Sequence, residues 1–198
     1  MTPTDIFRRA RDILLENRDD LERARAEFRW PELEEFNWAW DWFEVVARDN
    51  PAPALVLVSD AHGVRTASWA GLAERSTRLA RYLADQGVER GDRVLLMLTN
   101  VVPLWETMLA AIKLGAVIIP ATAQLTEADI DDRIARGNVR HMVTDYEGAE
   151  KVRAPERLRV RLAVGGAPGF TTYDDALSAP ARVARVATRA SDPLLLYF

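Results

Sequence analysis

There is no cysteine among the 198 residues. That excludes disulfides, thiolate-held metals and a cysteine nucleophile, and it fits a reducing compartment. Histidine is nearly as scarce, with only two copies. His62 stands in a turn and His141 at a strand start; neither has a metal-ligand spacing, and each reads as an ordinary surface or strand-end side chain. Long apolar runs are missing as well. No stretch approaches the ~18 apolar residues of a membrane-spanning helix, and the opening MTPTDIFRRARDILLEN puts charges where a secretory leader needs an unbroken apolar core. A soluble, cytoplasmic protein without a membrane partner is the expectation. Positive charge is not in excess: the net charge is −4 and the pI near 5.3, which argues against a general nucleic-acid binder.

Catalytic signatures are equally thin. No Gly-x-Ser-x-Gly elbow is present, and no strand is followed by the Gly-x-Gly-x-x-Gly spacing, which disfavours a dinucleotide-dependent oxidoreductase. The glycine-rich GGAPG (Gly165 to Gly169) contains Pro168 and opens no long helix, so it reads as a turn. Asp129, Asp131 and Asp132 fall in the first turns of a helical pattern, where they complement the helix dipole without catalytic duty. Arg157, Arg159 and Arg161 alternate and read as a solvated stripe on one side of a strand. No complete catalytic constellation is assembled from these residues.

What is present is a regular alternation of elements. Thr4 to Phe28 reads as one amphipathic helix, with Phe7, Ala10, Leu14, Leu21, Ala24 and Phe28 on its apolar face. The next stretch, FRWPELEEFNWAWDWFEVVARDNP, holds four of the six tryptophans. Trp38, Trp40 and Trp42 would share a face of a strand, whereas Trp38, Trp42 and Val45 would share a face of a helix; aromatics this dense point to packing or a subunit contact rather than ligand stacking. From Pro51 the pattern changes. ALVLVS and RTAS form a candidate hairpin around the turn residues DAHGV. Helices are expected from about Trp69 to Gln86, with Leu72, Leu79 and Leu83 inward and Gly87 as a left-handed cap. Another covers PLWETMLAAIKLG, with Leu104, Trp105, Met108 and Ile112 inward and Gly115 at its end. A third follows a capping box of Thr126 with Asp129. DRVLLML, AVIIPAT, RHMVTD, RVRLAVGG and the terminal LLLYF read as strands, the last as a buried one. A short acidic helix is expected around TTYDDAL, and SAPARVARVATRASDP reads as an exposed loop.

Strands separated by helices in this way predict an α/β fold: a mainly parallel sheet with helices on both faces, preceded by an N-terminal helical arm. Residues 1–50 are assigned to that helical and aromatic arm and residues 51–198 to the α/β body.

Three stretches in this order carry a resemblance. They are SWAGLAERSTRLARYLADQGVERGDRVLLMLTNVVPLWETMLAAIKLGAVIIPATAQLT, DRIARGNVRHMVTD and the terminal SDPLLLYF. Together they resemble the N-terminal part of the AMP-forming adenylate ligases, the superfamily of acyl-CoA synthetases, luciferases and peptide-synthetase adenylation domains. GVERGDRV with its flanking helix and strand is similar to the first conserved motif, and AAIKLGAVIIPAT to the second. NWAWDWFEVVARDNP and IPATAQLT are similar to the medium-chain acyl-CoA synthetase branch.

The resemblance implies ATP, Mg²⁺ and coenzyme A as cofactors and a carboxylic acid as substrate: acid, ATP and coenzyme A give acyl-CoA, AMP and pyrophosphate. It implies that Thr122 and Gln124 line the pantetheine path and that Lys151 and Arg153 meet the 3′-phosphate of coenzyme A, with no catalytic or metal-binding residue inside these 198 positions. In the family a strand like DPLLLYF runs into a Ser/Thr/Gly-rich loop ending in lysine that binds the ATP phosphates. The chain is therefore expected to be a truncated scaffold that stops before that loop, inactive alone and binding no cofactor tightly. Its apolar terminal strand is expected to drive self-association into a homo-oligomer. The alternative is a non-catalytic α/β module that binds a nucleotide or a partner chain.

Overall fold

A computed structural model describes residues 1–60 and 63–198. The expected single helix from Thr4 to Phe28 is two: α1 (Pro3–Glu16) and α2 (Leu21–Glu27). The break has a local cause. Asn17 folds its side-chain amide back onto the Ile13 carbonyl (2.9 Å), and Asp20 accepts from the Arg23 amide (3.0 Å) to start the second helix, so short polar side chains compete with the helical ladder. The bend turns Leu14 and Leu21 to solvent, and of the expected apolar face only Ala10 is buried outright.

The tryptophan-rich stretch fits neither expected periodicity. Residues Trp38–Phe43 form a π-helix that runs into α3 (Glu44–Ala47). Its wider turn sends the three indoles to three neighbours. Trp42 stacks near Phe7 of α1, with ring centroids 5.1 Å apart, Trp40 donates its Nε1–H to the Lys113 carbonyl (3.0 Å), and Trp38 packs on Phe43. Packing, as expected, is what these rings do.

The hairpin forms as predicted: β1 (Pro53–Ser59) pairs antiparallel with β2 (Gly63–Ser68), Val58 opposite Val64. Of the turn residues, Ala61 and His62 lie outside the described residues. The helix α4 (Trp69–Asp85) follows, capped by Ser68 and released through Gly87 at φ +78°.

The body is a five-stranded sheet in the order β4-β3-β5-β6-β7, built from β3 (Arg93–Met97), β4 (Val117–Pro120), β5 (His141–Asp145), β6 (Val160–Val164) and β7 (Thr171–Thr172). Every neighbouring pair is parallel. The connecting helices are α5 (Val102–Leu114), α6 (Glu127–Arg136), α7 (Tyr146–Glu150) and α8 (Tyr173–Ala176). Alternate strand residues feed opposite cores. Val94 and Leu96 pack with Leu79, Leu83, Leu114 and Tyr173 on one face; Leu95 and Met97 pack with Ile130, Ile134 and Met142 on the other. That two-sided burial is the mark of a parallel sheet sandwiched by helices. A third cluster joins Ala39, Phe43 and Ala47 to Leu72, Ala73 and Leu109, seating the arm on α4 and α5.

Three expectations need correction. In α5 the face of Leu104, Trp105, Met108 and Ile112 is only partly buried, while Glu106, Leu109, Ala110, Lys113 and Leu114 are inside. The sheet covers one side of this helix, and α4 with the arm covers most of the rest, so its buried face is rotated. Arg157 closes a 3₁₀ turn and Arg159 precedes β6, leaving only Arg161 within the strand. The segment from Ser178 to Pro193 is a largely exposed loop as expected, pinned to the arm at Thr188, its one buried residue.

The terminal LLLYF is not a buried strand. It meets β4 at one parallel bridge, Ile118 with Leu195, through bonds from Ile118 N to the Leu194 carbonyl (3.0 Å) and from Leu196 N to the Ile118 carbonyl (2.9 Å). Among the described residues no further strand covers its outer side, and Leu194, Leu195, Tyr197 and Phe198 are exposed.

Candidate functional site: the carboxyl edge of the sheet

In an open parallel sheet, ligands gather beyond the carboxyl ends of the strands, where the connections leave in opposite directions. Here β3 lies between β4 and β5. Its connection leads through α5 to β4, whereas β5 leads through α7 to β6 on the other side. The loops after β3, β4 and β5 therefore border the crevice. Asp145 closes β5 and caps α7 by accepting from the Gly148 amide (2.9 Å), and the Thr144 hydroxyl donates to the Met97 carbonyl (3.0 Å), tying β5 to β3 at this edge.

All four residues singled out for coenzyme A stand here. Thr122 and Gln124 are exposed in the loop after β4, with the Gln124 amide donating to the Thr122 hydroxyl oxygen (3.3 Å). Lys151, just beyond α7, donates from Nζ to the Ala123 carbonyl (2.7 Å), between those two residues. Arg153 lies one step further and bonds Glu127 (2.8 Å) and Asp131 (3.5 Å) at the start of α6. The capping box of Thr126 and Asp129 fixes that helix start as expected. An open cavity of about 390 Å³ is lined by Thr126, Glu127, Ala128, Lys151 and Arg153; Thr122 and Gln124 border the same loop without lining it.

The electrostatics qualify the expected phosphate role. Arg153 is an exposed guanidinium already shared by two carboxylates, and the bond to Glu127 is the main reason its charge is held more firmly than usual. A phosphate would have to displace Glu127 or Asp131. Lys151 carries three N–H donors, of which one goes to Ala123. The acidic cluster thus has a structural use: Glu127 and Asp131 hold Arg153, and Asp132 pairs with Arg136 (3.0 Å). GGAPG is a turn as expected, with Gly165, Gly166 and Gly169 all at positive φ. Among the described residues no group of acidic or histidine side chains could hold a metal ion.

His141 is at a strand start as expected but not on the surface. It is buried, and its Nε2 meets Asp92 at 3.2 Å. Two buried ionic groups gave no sign in the sequence. Lys113 of α5 is fully buried, paired with Glu44 of the arm (2.6 Å), and donates to Ala73 O, Ser76 Oγ and Thr77 Oγ1. Glu106, also fully buried, binds Arg75 and accepts from the Tyr173 hydroxyl (2.9 Å).

With this sheet and its edge defined, the likeness to known proteins can be judged. Residues 42–198 match the family of AMP-binding enzymes. The chain belongs to this family. Among curated members, the human mitochondrial acyl-coenzyme A synthetase ACSM5 is 28% identical over 179 residues, covering 83% of this chain and 31% of that protein. The rat protein of the same name is 28% identical over 186 residues, covering 85% and 32%. Of solved structures, the acyl-CoA synthetase of Brucella canis superposes with a TM-score of 0.72 at 21% identity, over 94% of this chain and 35% of that one. The anthranilate CoA ligase AuaEII, solved with anthranoyl-AMP, gives 0.70 at 15% identity, over 83% and 31%. At these identities the structures speak for the fold alone. The chain spans about a third of the length of the AMP-binding relatives it matches, and no helix among the described residues is long and apolar enough to cross a membrane.

Proposed function

We propose that this chain is the N-terminal portion of an AMP-forming acyl-CoA synthetase, in which a carboxylic acid, ATP and coenzyme A yield acyl-CoA, AMP and pyrophosphate. The observation that carries the reading is the family match over residues 42–198, on a parallel five-stranded sheet whose second-motif strand, β4, leads into a loop bordering the crevice. The names of the curated relatives support the acyl-CoA class.

Within that reading, ATP with Mg²⁺ supplies the activated phosphate and coenzyme A the accepting thiol. None of the described residues forms a phosphate-gripping loop, so no adenylation step is assigned to them. Their part is to bind and orient. Lys151 has donors to spare for an anion, and Thr122 with Gln124 offers a polar wall along the loop after β4. Arg153 joins only by exchanging a carboxylate for the 3′-phosphate. Titration of the product of the complete reading frame containing these residues with coenzyme A and with 3′-dephospho-coenzyme A tests this: Lys151→Ala should weaken the first and spare the second. Equal affinity for both, or no effect of Lys151→Ala, removes Lys151 and Arg153 from the site.

The arm of residues 1–50 and the body of 51–198 remain the proposed division, and a cytoplasmic location the proposed compartment. Curated relatives carry mitochondrial in their names, and fractionation of tagged protein decides between the two. The codons following Phe198 test the wider reading. A frame continuing into a Ser/Thr/Gly-rich loop ending in lysine supports a synthetase; a stop codon there favours the non-catalytic module.

A further inference from the structure

Beyond covering α4 and α5, the arm holds a distant part of the chain. Residues 34–37 run antiparallel to residues 188–190. The Phe36 amide donates to the Thr188 carbonyl (3.1 Å), and the Ala190 amide donates to the Glu34 carbonyl (3.0 Å). The Thr188 hydroxyl, itself buried, donates to the Phe36 carbonyl (2.9 Å). Upstream of this ladder Arg185 reaches Asp41, with its guanidinium 2.6 Å from Oδ1.

Asp41 is a junction. It is buried in the π-helix, its Oδ2 accepts from the Asn37 amide (2.8 Å), and its carbonyl accepts from the Thr4 hydroxyl of α1 (2.6 Å). One residue therefore ties α1, the π-helix and the 185–190 segment together. Further on, that segment is laid along the open side of β4 through the Ile118 and Leu196 amides. A second tether, Arg90 to Asp192 (2.7 Å), comes from the turn before β3.

Apolar packing between the arm and this segment is incomplete. A cavity of about 130 Å³ remains between Phe36, Trp38, Ile112, Gly115, Thr188 and Leu194. The path of the segment thus depends on a few directed polar bonds. A buried carboxylate with a charged partner is the strongest kind of such bond and the costliest to leave half-made.

We propose that the Asp41–Arg185 pair is a positioning device through which the N-terminal arm fixes residues 185–196 along β4. Asp41 and Arg185 are positioning residues. They touch no ligand and act on where the backbone of 188–196 lies. The consequence for nucleotide handling, that the arm aims the chain leading to the phosphate loop, rests on the acyl-CoA synthetase reading. The placement itself does not.

The test is amide hydrogen exchange on the 198-residue chain without ligand, so that it is independent of any activity. Arg185→Met is compared with the conservative Arg185→Lys and with Arg182→Met, which removes the same charge from the same segment at a side chain that makes no bond to Asp41; Arg185 itself is exposed on its outer side. Loss of one charge-assisted bond should speed exchange at the Ala190, Leu196 and Ile118 amides by about tenfold or more. The segment should lose nearly all its protection while β3 and β5 keep most of theirs, and the urea midpoint should fall by no more than the loss of this one interaction. Arg182→Met should behave as the parent chain, and Arg185→Lys should recover part of the protection. Unchanged exchange at Ala190 and Leu196 in Arg185→Met overturns the proposal. So does a segment that in Arg185→Met still exchanges only as fast as β3 and β5, since the pair would then contribute only to general stability.

Discussion

Removing Glu44 should harm this protein more than removing the buried lysine it serves. Lys113 Nζ has three neutral acceptors, Ala73 O at 3.0 Å, Ser76 Oγ at 2.8 Å and Thr77 Oγ1 at 2.7 Å, and one counter-charge, Glu44 at 2.6 Å. The lysine side chain is wholly buried, while that of Glu44 keeps 27% exposure. Glu44→Ala strands an ammonium in the core. Breaking a buried pair costs about 3–5 kcal/mol, and the surviving acceptors place this case near the lower end. Lys113→Met leaves a carboxylate whose Oε1 is buried but whose other oxygen reaches water, the side chain keeping 27% exposure. The Ser76 and Thr77 hydroxyls still bond Ala73 O, so its cost should be nearer 1–2 kcal/mol, as for lost neutral bonds. Lys113→Met with Glu44→Leu should return to within about 1 kcal/mol of the parent, because well-packed apolar pairs replace buried ion pairs at little loss.

Urea unfolding of the four proteins at constant m-value reads these costs. pH adds a signature. Burial pushes the Lys113 ammonium below its ordinary value of 10.5, opposed by Glu44. The unfolded chain then binds more protons between the folded and unfolded values, so this group makes stability rise with pH up to about 10.5. The rise should steepen in Glu44→Ala, where the opposing charge is gone. A Glu44→Ala cost no larger than that of Lys113→Met would refute the reasoning.

Other expectations follow the same physics. Arg75→Met leaves the buried Glu106 with only the Tyr173 hydroxyl and should cost about 3 kcal/mol, against about 1 kcal/mol for Tyr173→Phe; equal denaturation midpoints would contradict this. Burial, with Glu106 beside it, raises the Tyr173 phenol well above its usual range, so in an absorbance titration one of the four tyrosines should ionise only on unfolding. Burial also lowers the His141 imidazole, in spite of Asp92. The unfolded histidine therefore takes its proton first as pH falls below about 6.5, stability drops in that window, and His141→Gln should flatten the slope. Gly115 stands at φ +68°, and a Cβ there would lie 2.7 Å from Thr188 Cγ2, so Gly115→Ala should cost about 1–2 kcal/mol from the left-handed backbone alone. Exposed Leu194, Leu195, Tyr197 and Phe198 should drive concentration-dependent association in light scattering; a strict monomer at high concentration would count against it.

Much of the fold was legible because its signals are local. The Thr126–Asp129 capping box, the left-handed Gly87 and Gly115, the hairpin and the alternation of helix and strand are each written within a few neighbouring residues. The break after Asn17 was readable in principle from ENRDD, where short polar side chains offer competing bonds, but the flanking apolar spacing masked it. Long-range pairs were not legible. Glu44 with Lys113, Asp41 with Arg185 and Glu106 with Tyr173 join charges or hydroxyls whose sequence neighbourhoods read as ordinary helix or loop. The π-helix lies outside both periodicities that a pattern search weighs. LLLYF reads as buried because it is apolar, yet burial requires a neighbour on its outer side. At the site, the grouping of Thr122, Gln124, Lys151 and Arg153 came from family resemblance; of the carboxylates that neutralise Arg153, Asp131 was legible only as a helix-dipole feature and Glu127 not at all.

The most direct test of the central claim is AMP formation by the product of the complete reading frame containing these residues, supplied with ATP, Mg²⁺, coenzyme A and a medium-chain carboxylic acid. The account predicts AMP and acyl-CoA in equal amounts, dependent on both acid and coenzyme A, and no pyrophosphate release from the 198 residues alone. ADP in place of AMP, AMP formed without an acid, or full turnover by the 198-residue chain would contradict it.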